Sequence, residues 1–265
     1  MLPPGTGQIG DEPWLLEFRD KYTVDQARLL EGALRSLAGY ILAAEDLLLS
    51  VAVTGQDGKA EKVLSEKDTQ GSRVFAGFLN HGARTISHLI RAYETFDLPL
   101  MSWAARNLVE LRIWSRYASM SDETLRGFHD NSILDSLDLL ELQLRALQQA
   151  NAEVADIEAV QSHIQEVTEE LKHSTLTSRK RLRIKDVAKD VGAEQYYKHW
   201  FGHLSKLAHP TPALILHVET GKEMVSVEIT EPIFTMGLRA GTEIYNTSVK
   251  SMQFVDTPQQ AKKPE

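Results

Sequence analysis

Cysteine is absent from the 265 residues, which excludes disulfides, thiolate metal sites and cysteine nucleophiles. No apolar run approaches the roughly 20 residues that cross a bilayer, and the opening MLPPGTGQIGDEPW has neither the basic nor the apolar region of a leader. We therefore expect a cytoplasmic protein without a membrane partner. Aromatic residues make up 7% of the chain and the net charge is −8, a balance that argues against a general nucleic-acid coat protein. No cofactor motif occurs, and no metal is expected. His199 and His203 are one turn apart and suit two ligands of one ion, but a third ligand at proper spacing is missing.

What is present, 42% hydrophobic and 25% charged residues, is ample for a buried core. Residues 1–13 are rich in Gly and Pro and read as a flexible arm, and residues 256–265 read as a disordered tail. Residues 14–255 show no boundary that demands two domains and are expected to form one helical domain. Thr23 with Gln26 signals a capping box before a long helix carrying Ala27, Leu30, Leu34, Leu37 and Ile41 at helical spacing. A second helix is expected from about Gly71 to Phe96, with His81, Arg84 and His88 on one face. Asp97 and Pro99 open a third. Ser121 opens a fourth, acidic helix through Asp130, Asp135, Asp138 and Glu141. The helix from Glu153 to His173 should pair with it as an antiparallel hairpin.

The third helix holds the polar residues that matter most. Its apolar rows leave only a narrow sector for water, yet Arg106, Asn107, Glu110 and Trp114 lie within it. Arg106 and Glu110, one turn apart, can pair. These four side chains either fix the helix register or line a polar pocket. Further on, Arg179, Lys180, Arg181, Arg183 and Lys185 put five cations into seven residues. Such a run attracts phosphate, RNA or an acidic surface, including the Asp-rich helix of the same chain.

The stretch EQYYKHWFGHLSKLAHPTP, from Glu194 to Pro212, is densest in aromatic and histidine side chains. Pro210 disfavours helical dihedrals at His209 and so places it at the helix end, just after Ser205 and Lys206. Beyond it, ALILHVE and EMVSVEI alternate about Thr220–Lys222, which reads as a small β-hairpin before a last helix starting near Thr230. The expected fold is mainly α: a bundle of six or seven helices with that hairpin, which packs on the bundle or pairs across a homodimer.

Arg106-Asn-Leu-Val-Glu110, followed by Trp114, and Ser205-Lys-Leu-Ala-His209-Pro-Thr211 together resemble the signature of an uncharacterised bacterial family of all-helical proteins. The resemblance covers roughly residues 70 to 215 and implies a helical bundle with no settled activity. The end of the second motif also resembles the HEPN helical nucleases, whose motif is an arginine several residues ahead of a histidine. This chain departs from it: no arginine precedes His209 within its helix, and Lys206 stands three residues before it. Two functions follow. In one, the protein is a binding or regulatory module whose pocket is built from Arg106, Asn107, Glu110, Trp114 and Ser205. In the other, it is a ribonuclease with His209 as general acid–base and Lys206 supplying charge to phosphate. For the pocket, Arg106, Glu110, Ser205, Lys206 and His209 must converge.

Overall fold

The computed structural model describes residues 22–54, 66–172, 181–209 and 227–253, which form eight helices and no strand. The expected capping box opens α1 (Val24–Thr54), with Thr23 N–H donating to Gln26 Oε1 at 2.8 Å and Gln26 N–H to Thr23 Oγ1 at 3.2 Å. Helix α2 (Glu66–Glu94) begins ahead of Gly71 and ends where Phe96 turns left-handed, φ 54°. The Asp97 carboxylate then caps α3 (Leu98–Met120), accepting from Leu100 N–H at 3.0 Å, with Pro99 in the first turn, where no intrahelical N–H bond is lost. Ser121 and Thr124 cap α4 (Asp122–Gln149) reciprocally, and a tight turn leads into α5 (Val154–Lys172).

Helix α6 (Ile184–Asp190) stops at Gly192, whose φ of 70° is cheapest for glycine, and Ala193 N–H closes the end on Ala188 O at 2.7 Å. Helix α7 (Glu194–Ala208) ends at His209, extended at φ −104° and ψ 147° as a residue before proline must be. The short α6 agrees with a helix expected from Lys185 to Val191, and the described residues hold eight helices against the six or seven expected in all. Helix α8 (Val227–Gln253) corrects the expected hairpin at one end. Val227, Glu228 and Ile229, read as the close of its second strand, form the first turn of α8. Ile229 packs against the core, and three alternating residues do not outweigh a helix that buries Ile233, Phe234, Met236, Leu238 and Ile244. Residues 213–226, the rest of the hairpin, lie outside the described residues, as do the arm at 1–13 and the tail at 256–265.

Helix α3 is the centre of the bundle and packs against α2, α4, α6, α7 and α8. Ala105, Leu108, Val109 and Ile113 are completely buried in it. Helix α1 lies on α2, and α5 lies on α4, where Ile133, Leu137 and Val167 make a second, smaller core. The apolar residues of this pair recur every three or four positions on both helices, the seam expected of an antiparallel hairpin.

Candidate functional site

The sector of α3 that the core leaves open faces α7. On α7, Tyr197, Phe201, Ser205 and His209 follow one another at intervals of four and so share one stripe. The Arg106 guanidinium lies over the Phe201 ring, 4.2 Å from its centroid, and Phe201 in turn stacks on Tyr197 at 4.6 Å. Arg106 Nε is 3.4 Å from Glu110 Oε1. Its Nη1 lies 3.5 Å from Nε2 of the exposed His209 ring across the groove, a contact in which the guanidinium can only donate. The arginine is therefore held by an aromatic face, a carboxylate and an imidazole, with about a quarter of its side chain open to solvent.

The remaining sequence candidates fall around this group in different ways. The Ser205 hydroxyl, in the same stripe, is buried without a hydrogen-bond partner among the described residues. Asn107 turns away, its amide donating to Trp103 O at 2.7 Å. Trp114 packs against Tyr117 and Phe128 in the aromatic core between α3 and α4 and does not touch Arg106. Lys206 is exposed on the neighbouring side of α7, where its charge acts on His203. His199 and His203 both lie edge-on to the buried Trp200. Among the described residues no group of three His, Cys, Asp or Glu is placed to hold a metal. On α2, His81 is exposed beside Arg84, and His88 packs edge-on against Trp103.

The described part of the basic run is tied to α4. Arg181 pairs with Asp138 and Asp135 and donates to Leu134 O at 3.2 Å, while Asn131 Oδ1 accepts from Leu182 N–H at 2.9 Å. The acidic helix thus serves, at least at Arg181, as an internal partner of the cationic segment. Arg179 and Lys180 lie outside the described residues.

Sequence reasoning passed over Arg112. This arginine is buried at 7% exposure, pairs with Glu243 of α8, and lies over the Tyr196 ring at 4.4 Å. The signal was there, since Arg112 falls between Leu108 and Ser115 in a row that is otherwise apolar or small.

Burial raises the Glu110 carboxyl above its ordinary range, and the charge and hydrogen bond of Arg106 oppose the rise without reversing it. The folded state therefore keeps this proton to higher pH than the unfolded chain. Its contribution to stability is complete below the ordinary carboxylate value and is lost as pH rises through the elevated folded one. We expect the difference in Tm between wild type and Glu110→Gln to move against the wild type as pH rises above the ordinary carboxylate range. A difference that moves the other way would mean that the pairing with Arg106 outweighs burial.

Fold and site together define a mainly helical protein with a half-buried Arg–Glu pair meeting a histidine at a helix end. Residues 101–224 match the model of a family of unknown function, DUF5677, and that span contains both Arg106 on α3 and His209 after α7. No curated protein and no solved structure matches the chain. Among the described residues no helix is long and apolar enough to cross a membrane.

Proposed function

We propose that this chain is a cytoplasmic binding or regulatory module, a single helical domain over residues 14–255 that holds an anionic group of a small ligand or partner chain at Arg106. One observation carries the reading. Arg106 is fixed by Phe201 and Glu110, yet one edge of its guanidinium is aimed at the exposed His209. A planar fork of donors immobilised in this way loses little entropy on binding a carboxylate or phosphate. Ser205, whose hydroxyl has no partner among the described residues, lies in the same stripe and offers a further contact.

The same contact favours a second reading, a ribonuclease of HEPN type. His209 would act as general acid–base, and Arg106 from α3 would stand where that family uses an arginine from the histidine's own helix. A fluorescent single-stranded RNA incubated with the pure protein separates the two. We expect binding without cleavage, weakened at least about tenfold, or ~1.4 kcal/mol, in Arg106→Ala. Cleavage that disappears in His209→Ala would replace the module with the nuclease.

A further inference from the structure

We propose that a second site, a cleft where α3, α6 and α8 end together, binds a small organic anion that brings its own hydrogen-bond donors. The cleft has a volume of ≈ 430 Å³ and is lined by Arg116, Ser119 and Met120 of α3, Asp190 and Val191 at the end of α6, and Thr247, Lys250 and Ser251 of α8. That volume falls within the range of roughly 300–1,000 Å³ typical of small-molecule sites. Arg116 lies about 15 Å along α3 from Arg106, by the rise of a helix, so this cleft is separate from the site facing α7.

Its chemistry is asymmetric. The ends of α3, α6 and α8 all present carbonyl groups, the negative pole of the helix dipole, so local backbone charge disfavours an anion. Two cations reverse that balance. Neither Arg116 nor Lys250 has an ion-pair partner among the described residues, and neither does Asp190. Both charges are therefore available to one carboxylate or phosphate, Arg116 in a fork and Lys250 as a point charge.

The hydroxyls complete the pattern. Ser119 Oγ donates to Arg116 O at 2.7 Å and Ser251 Oγ donates to Thr247 O at 2.9 Å. With their protons committed to the helix backbone, these oxygens present lone pairs, and Asp190 adds a carboxylate acceptor. The complement is a molecule with an anionic group at one end and ammonium or hydroxyl donors at the other. Amino and hydroxy carboxylates and phosphate esters of polyols share this chemistry, while Met120 and Val191 offer apolar contact to a short carbon chain.

Thermal shift and titration calorimetry on the full chain test the site, with glutamate, malate and glucose 6-phosphate as probes and sodium chloride at equal ionic strength as control. We expect saturable stabilisation by at least one probe. Its affinity should fall at least about tenfold in Arg116→Ala and in Lys250→Ala and stay unchanged in Arg106→Ala. The carboxylate and phosphate arms identify the anion, and Asp190→Asn should weaken glutamate more than malate. Lys250 is exposed, so its variant tests the proposal even if Arg116→Ala does not fold. No saturation above the salt control would overturn the site, as would affinity that survives in the double variant Arg116→Ala/Lys250→Ala.

Discussion

Arg112→Ala is expected to lower the stability of the protein by about 3 kcal/mol, a fall in Tm on the order of 10 °C for a chain of this size. The substitution removes the partner of Glu243, the cation over Tyr196 and the aliphatic stem that fills the junction of α3, α7 and α8. Glu243 retains 36% of its side-chain exposure and recovers part of its hydration, which keeps the cost near the lower end for a broken buried pair. Replacing both partners, as Arg112→Met with Glu243→Leu, should restore most of the loss, because an apolar pair leaves no charge behind. Arg106→Ala should cost about 1 kcal/mol, since its side chain keeps about a quarter of its exposure and its aromatic contact is partly exposed. Thermal unfolding of the four proteins measures the series. Equal losses at the two arginines would mean that the Arg106 pair is as structural as the Arg112 pair.

Gly237→Val is the other large effect, about 2–3 kcal/mol of destabilisation from overpacking. A Cβ at this position would meet Leu89 Cδ2 of α2 at 2.6 Å, with Leu108 Cδ1 and the Ala105 backbone of α3 at 3.4 and 3.5 Å. Helix α8 therefore lies so close to its neighbours that any side chain here requires Leu89 to shift. Gly237→Ala should be milder, because the Leu89 methyl can move and alanine gains ~1 kcal/mol of helix propensity over glycine. Gly77 in α2 is the control: nothing lies within 4 Å of a Cβ there, so Gly77→Ala should stabilise by roughly 0.5–1 kcal/mol. Urea denaturation of the three variants checks the order. If Gly237→Val matched the wild type, the close approach of α8 to α2 and α3 would be refuted.

By itself the sequence determined the helices and most of their ends. Caps and prolines act within one turn of the chain, so Thr23, Asp97 and Ser121 mark boundaries that need no tertiary partner. The apolar period of α4 and α5 likewise specified a helical pair, because a seam repeated every three or four residues has one natural way to be buried. The start of α8 escaped this reading, since three alternating residues fit a strand as well as a helix until Ile229 finds the core. The pair Arg106 and Glu110 was legible because an ion pair one turn apart is local. What stands opposite them was decided by the tertiary structure. The rotation of α7 about its axis sets Tyr197, Phe201 and His209 toward Arg106 and leaves Lys206 on the side of His203, while α3 turns Trp114 into the aromatic core and Arg112 onto Glu243. Those rotations follow from how the buried surfaces of α3, α7 and α8 interlock, a property of all the helices together that no single helix encodes.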